Sequence, residues 1–438
     1  MYEWSETDLM IRDAVRAFID KEIRPNLDAL ESGELPPYPV IRKLFSEFGI
    51  DTMARESVEK TLARERAKAE GGAAPGGDGA GAGRDRAGEN DDDKGGGRGS
   101  SPLGGQDSLM TVVTSELAGV CMGLVSALGV SLGLGATTIM SRGTLEQKER
   151  WVPDIMTMDK IAAWAITEPD SGSDAFGGMR TYVRRDGEDY ILNGQKTFIT
   201  NGPYADVMIV YAKLDEGDPD VSPRDRKVLT FVLDKGMEGL TQSAPLSKMG
   251  LHSSPTGELF FDDVRLGPDR LLAGGGSSGG GKSGGGDGRE SARSSFTAER
   301  IGVASMALGI IEECRRLCID YARERTLWGQ EIGRFQLIQL KLAKMEVARI
   351  NVRNMVFHSL ERSRAGKPLT LAEASAMKLY SSEAATDVAM EAVQLFGGNG
   401  YMSEYRVEQL ARDAKSLMIY AGSNEIQVTH IAKGLLAR

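Results

Sequence analysis

The sequence predicts an α+β multidomain chain: an N-terminal helical domain, a central antiparallel β domain and a C-terminal helical bundle. Three observations predict it. Apolar residues recur at helical spacing through the first part of the chain and again from Thr297 onward. Between Ile161 and Asp263 short alternating runs appear instead, including Tyr190 to Leu192, Val207 to Tyr211, Val228 to Leu233 and Leu259 to Phe261. Gly, Pro, Asn and Asp punctuate them, as antiparallel strands require. Two glycine-rich tracts, Gly71 to Gly105 and Gly274 to Gly288, interrupt the pattern. The expected domains are therefore residues 1–160, 161–273 and 294–438, with a flexible linker over 274–293.

Each element has a local cause. Ser5, followed by acids, reads as the N-cap of a helix carrying Trp4, Leu9, Ile11, Val15, Phe18 and Ile19 at amphipathic spacing. Pro36, Pro37 and Pro39 break that pattern before a second helix, Val40 to Phe48. Glu56 to Glu70 is helix-prone but has few apolar anchors. Gly71 to Gly105 is mostly Gly, Asp, Arg and Ser, and buries too little apolar surface to offset its ordering entropy. It is expected to be a disordered surface insertion. Helical signals resume at Asp107 and run to Met158. The most apolar stretch, Gly119 to Gly135, suits a buried helix pair. No run of 18 apolar residues occurs, so no transmembrane segment is expected. The C-terminal helices are expected over Thr297 to Leu327, Arg334 to Ala365, Thr370 to Phe396 and Asn424 to Leu436. Short breaks between them fit antiparallel packing.

The formal net charge of -10 argues against a nucleic-acid partner but leaves room for a local anion site. Cys121, Cys314 and Cys318 show no metal spacing and no disulfide framework, so no metal is expected and a reducing compartment is. No secretory signal pattern opens the chain. Bacterial cytoplasm, or a mitochondrial matrix if the source is eukaryotic, is the expected location.

Four segments have the composition of ligand-binding turns. Trp164 to Asp174 carries Thr167 and Ser173 on a Gly/Ser-rich turn that exposes amides and hydroxyls. Gly194 to Gly202 places Phe198 and Thr200 before Asn201-Gly202, which reads locally as a hairpin turn. Gln394 to Tyr401 follows a helix with three glycines. One is enough for an αL cap, and the others allow a backbone to approach a ligand. Ile419 to Glu425 is a polar turn capping the last helix.

In this order and spacing the four segments resemble the acyl-CoA dehydrogenase family. Thr167 to Asp174 is similar to the family's Thr-Glu-Pro-x-(Ala/Ser)-Gly-Ser-Asp turn, and Lys196 to Gly202 to its Lys-x-(Trp/Phe)-Ile-Thr-Asn-Gly strand. Lys248 to Val264 is similar to its β-domain exit. The resemblance covers nearly the whole chain outside the two glycine-rich tracts. It implies a C-terminal four-helix bundle and bound FAD. Trp164, Phe198 and Thr200 would line the isoalloxazine, and Thr167 and Ser173 would hydrogen-bond the flavin or substrate region. Arg325, Gln336, Gln394, Gly397 and Gly398 would hold the adenine and pyrophosphate end across a subunit interface. Ser423 and Glu425 would meet the cofactor from the last turn. A homo-oligomer built as a dimer of dimers, an acyl-CoA substrate and an electron-transfer flavoprotein as acceptor are implied with it.

The family's reaction needs a carboxylate beside the substrate α-carbon. Many members place that Glu directly after the Tyr of the last turn, where this chain has Ala421 after Tyr420. A subset that includes isovaleryl-CoA and long-chain acyl-CoA dehydrogenases places it on the first long C-terminal helix, just before an Arg. Glu299-Arg300 stands at the matching place. The resemblance thus implies Glu299 as base, with Arg300, Tyr420, Ala421 and Gly422 beside the substrate and the Ala421 amide on the thioester carbonyl. Read without the family, Glu299 is an acid at a helix start, favoured by the helix dipole. Alternatives on the same fold are a catalytically silent flavoprotein acting as an assembly partner, an acyl-CoA oxidase or a desulfinase.

Overall fold

The computed structural model describes residues 3–70, 107–272 and 287–437. The insertion expected over Gly71 to Gly105 lies outside the described residues, as does nearly all of the 274–288 tract. The first helix, α1 (Glu6–Phe18), starts where Ser5 predicts. The Ser5 hydroxyl accepts from the Asp8 amide and the Asp8 carboxylate accepts from the Ser5 amide, both at 3.1 Å. That reciprocal box satisfies two amides left unpaired at the helix start. After α2 (Leu27–Ser32), the prolines do not delay the next helix: α3 (Pro37–Glu47) begins at Pro37. In a first turn a proline loses no helical hydrogen bond, and its fixed φ suits the helix. The charged stretch forms α4 (Ile50–Ala69), held by Ala54, Val58 and Leu62 on one buried stripe.

The helices expected at Gly119 to Gly135 follow one another end to end across a break at Cys121. They run through α5 (Asp107–Gly129), a π-helical turn Val130–Ala136 and α6 (Thr137–Arg142). The run Ser108–Arg142 has the length and hydropathy to cross a membrane, and most of its apolar window is buried inside the fold. The close contact of α5 with α8 (Gly288–Glu324) depends on glycines. A Cβ at Gly119 would lie 2.8 Å from the Gly309 carbonyl oxygen, and one at Gly309 would lie 2.0 Å from that of Ser115. α7 (Leu145–Met156) then leads into the sheet.

The sheet is mixed rather than purely antiparallel. Its strands are β1 (Ala162–Ala165), β2 (Tyr182–Asp186), β3 (Asp189–Thr200), β4 (Val207–Leu214), β5 (Val228–Asp234), β6 (Leu240–Gln242) and β7 (Thr256–Leu266). The order is β1-β4-β2-β3-β7-β6, with β5 pairing β4. β1 and β2 both run parallel to β4, at Val207 to Val210 and at Lys213 and Leu214 respectively. β1 is too short to cover β4, so the chain leaves the sheet after Ala165 and rejoins at Tyr182. That excursion carries Thr167 and Ser173. Every residue of β4 is buried, so its sequence is a continuous apolar run broken only by Lys213.

Asn201-Gly202 is not a hairpin turn either: β3 pairs with β2 and β7, not with β4. Asn201 is fully buried with φ 66°. Its side-chain amide donates to the carbonyls of Ala127 on α5 and Ala162 on β1, both at 2.9 Å, and its oxygen accepts from the Tyr38 hydroxyl of α3 at 3.0 Å. One side chain thus joins helical domain to sheet. Asn201→Gly keeps the left-handed backbone but leaves these buried groups unpaired, so it is expected to cost about 3 kcal/mol in urea unfolding. Asn201→Ala should cost more because φ is positive. An Asn201→Gly variant as stable as wild type would show the bonds to be replaceable.

The C-terminal part consists of α8, a hairpin of β8 (Thr326–Leu327) and β9 (Gln330–Glu331), α9 (Gln336–Arg364), α10 (Leu371–Phe396), α11 (Val407–Ser416) and α12 (Asn424–Leu436). The bundle packs α8, α9, α10 and α12 together, and α11 crosses back onto α10. Cys314 and Cys318 are buried free thiols on α8.

Candidate functional site

The excursion after β1 is tied to β3 by a buried ion pair. The Lys196 ammonium lies 2.8 Å from the Glu168 carboxylate and also donates to the Ile166 carbonyl at 3.1 Å. Glu168 accepts in addition from the amides of Arg180 at 2.6 Å and Thr181 at 3.0 Å. The Thr197 amide donates to the Thr167 carbonyl at 2.9 Å. Burial raises the Glu168 carboxyl, but Lys196 and the amides outweigh it and hold it below the usual range. Burial pulls Lys196 down to about 8 against the pull of Glu168.

This clamp brings the Thr167 excursion, which follows Trp164 on β1, against the stretch of β3 that carries Phe198 and Thr200. A break in β3 register between Lys196 and Ile199 puts Phe198 at φ 56°, leaving its ring 68% exposed. The Trp164 indole packs edge-on against Tyr211, and its N–H is buried without a partner among the described residues. An outward aromatic on strained backbone, and a buried indole donor left unpaired, are each features that a flat heterocycle rich in acceptors would satisfy. Ser173 is exposed at the tip of the turn.

Glu299 does not sit at a helix start. α8 begins at Gly288, so Glu299 lies about three turns inside, beyond the reach of the terminal dipole. Its carboxyl is pushed up to about 7 by burial, against Arg300 and Lys378, which favour the charged form. Arg300 is itself buried. It donates to the Ser375 hydroxyl on α10 at 2.9 Å and lies over the Phe296 ring. Arg300, expected as a structural or substrate-orienting cation, braces α8 against α10.

Tyr420, Ala421 and Gly422 form a tight turn before α12. Ala421 has φ 58° and Gly422 φ 79°. The Gln427 amide donates to both their carbonyls, at 3.0 Å and 2.7 Å. The Tyr420 hydroxyl, raised by burial and by Glu299, faces the Met306 sulfur at 3.4 Å. Glu425 is exposed and held low by its own amide and the Ser423 hydroxyl, so it has no tendency to take a proton near neutral pH. The residue that motif matching missed is Lys378. It is fully buried on α10 and bonded to the Gly422 carbonyl at 2.9 Å. Its signal was a lysine on the inward stripe of Ala374, Met377, Ser381 and Ala385.

Arg325, Gln336, Gln394, Gly397 and Gly398 are all exposed. Arg325 follows Tyr321 by one turn, and Tyr321 stacks on Phe396 and accepts from Asn399, so Arg325 and the Gly397 turn share one end of the bundle. Gly397 ends α10 at φ 62°, ψ -136°, a region open to glycine but not the αL cap expected.

Family models described as acyl-CoA dehydrogenase N-terminal, middle and C-terminal domains match residues 95–159, 163–264 and 286–436. The chain is 36% identical over 338 residues to a short-chain specific acyl-CoA dehydrogenase of Megasphaera elsdenii, covering 77% of this chain and 84% of that one. It is 33% identical to the mitochondrial isovaleryl-CoA dehydrogenase of Pongo abelii, covering 75% and 74%. Butyryl-CoA dehydrogenase from Megasphaera elsdenii superposes over 100% of both chains with TM-score 0.77 and 29% identity. A glutaryl-CoA dehydrogenase from Mycobacterium smegmatis in complex with FADH2 superposes with TM-score 0.79 and 26% identity, over 99% and 96%. With all three domain models matched in order, and relatives above 30% identity across most of it, the chain belongs to the acyl-CoA dehydrogenase family and is an FAD enzyme.

Proposed function

We propose that the chain oxidises an acyl-CoA thioester to the trans-2-enoyl-CoA with Glu299 as base and passes the electrons to an electron-transfer flavoprotein. The observation that carries this reading is the half-buried Glu299 on α8, one residue before the buried Arg300, while the position after Tyr420 carries no acid; burial pushes its carboxyl up to about 7. A base poised at the working pH combines availability with proton affinity. FAD, when bound beside Trp164, Phe198 and Thr200, supplies the acceptor for the β-hydride. Glu299 takes the α-proton. The Ala421 amide holds the thioester carbonyl and stabilises the charge that develops on it.

Arg325, Gln336, Gln394, Gly397 and Gly398 serve the cofactor of a neighbouring subunit in this reading. Support for assembly comes from α9, where Leu337, Leu340, Val347 and Ile350 are exposed along one face. A dimer of dimers satisfies both features.

Anaerobic mixing with straight, branched and aromatic acyl-CoA thioesters tests the function. At least one should bleach the flavin, at a rate that rises with pH through about 7 and then levels, because only ionised Glu299 accepts a proton. No bleaching with any thioester would leave the silent flavoprotein. Fast reoxidation in air would favour an oxidase.

A further inference from the structure

Lys378 is a buried ammonium with no carboxylate in ion-pair range among the described residues. Its partners are two neutral oxygens: the Gly422 carbonyl at 2.9 Å and the Asn424 side-chain oxygen at 2.8 Å. The Ser382 hydroxyl donates to the same Asn424 oxygen at 3.1 Å. A buried cation without a counter-ion is costly, and an apolar side chain would fill this stripe of α10 more cheaply. The charge therefore calls for a reason beyond packing.

Two features supply one. The Ala421–Gly422 turn holds a non-glycine residue in left-handed backbone, a strained arrangement that persists only when its surroundings over-determine it. Lys378 and Gln427 do so by drawing both turn carbonyls toward α10 and α12. In a trans peptide the N–H points opposite its carbonyl, so the Gly422 and Ser423 amides face the other way. The amides of Ala421, Gly422 and Ser423 donate to no protein group among the described residues. The second feature is the approach of α8 to α10 beside Lys378: Arg300, next to Glu299, donates to Ser375, one turn before Lys378, at 2.9 Å, and a Cβ on Gly422 would lie 3.7 Å from the Arg300 guanidinium. The charges that act on Lys378 are Arg300, Glu299, Glu425 and Glu383, and those acting on Glu299 are Arg300 and Lys378. Glu299 also acts on Tyr420.

We propose that Lys378 is a positioning residue: its buried charge fixes the Ala421–Gly422 turn that receives the thioester and sets how readily Glu299 ionises. The kinetic part rests on the dehydrogenase reading, whereas the ionisation of Glu299 can be followed without turnover. Burial, and then Arg300, pull Lys378 down to about 8, so it carries its charge below that pH. A nearby cation favours the carboxylate, and removing it moves Glu299 titration to higher pH.

The test uses FAD-loaded Lys378→Gln and Lys378→Arg. Lys378→Gln keeps a donor for Gly422 but no charge. The infrared carboxyl band that is lost in Glu299→Gln is titrated in each resting holoenzyme. In Lys378→Gln it should titrate at least about half a pH unit higher, and in Lys378→Arg at the wild-type position. With a bleaching acyl-CoA, Lys378→Gln should lose kcat by about 10- to 100-fold with little change in KM, since the turn acts on charge that develops in the transition state. Should Lys378→Gln not fold, Asn424→Asp carries the test. It leaves Lys378 in place but offsets its charge, and must also move the band upward. An unmoved band in the folded variant overturns the proposal. A moved band in a protein that bleaches with no acyl-CoA overturns the dehydrogenase reading instead.

Discussion

Replacing Glu299 by glutamine is expected to leave a folded, yellow protein that binds acyl-CoA and bleaches about a thousandfold more slowly, or not at all. Neither other position considered for the base can rescue it. Ala421 has no acid, and Glu425 is exposed and held low. Stopped-flow reduction with the best thioester from the panel measures the loss, and a near-normal rate would remove Glu299 from the chemistry. The same variant has a stability signature. The folded protein raises the Glu299 carboxyl from 4.5 to about 7, so its contribution is fully present below 4.5 and is lost as pH rises through 7. Glutamine has no charge to lose. Glu299→Gln should therefore gain stability over wild type at pH 8, by up to roughly 3 kcal/mol. Adding Ala421→Glu to this variant puts a carboxylate at the alternative base position, after Tyr420, and partial recovery of bleaching is expected.

Lys196→Met is expected to give the largest loss of stability, about 3–5 kcal/mol, because it leaves the Glu168 carboxylate buried without its cation. The amides of Arg180 and Thr181 remain on Glu168 but do not neutralise it. The loss should reach the cofactor too. The Lys196–Glu168 pair holds the Thr167 excursion against β3, so the variant should release FAD on gel filtration while its bundle helices stay folded. Adding Glu168→Gln removes the stranded charge and should restore part of the stability. Urea unfolding of the single and double variants measures this. A double variant no more stable than Lys196→Met would mean that packing, not charge, sets the cost.

The sequence by itself determined the features that depend on near neighbours. Helical spacing located α1, α9, α10 and α12 closely, and Ser5 marked the start of α1. Alternation located the strand region, and the order of four short motifs carried the family. The contrast of Ala421 with Glu299 is also a matter of sequence. Tertiary structure decided the rest. Glu299 read as a helix-start acid because Thr297 looked like the start, but α8 extends back to Gly288. The sheet became mixed because β1 is shorter than the β4 edge it pairs with. Asn201-Gly202 has hairpin composition, yet Asn201 is spent on α3, α5 and β1. Lys378 bonds a carbonyl 44 residues away, on the same turn as Ala421. The physical reason is common to all four. Periodicity and capping are set by residues within a turn or two, whereas the burial that raises Glu299 and the partners that admit a lysine to the interior come from chain brought together only by folding.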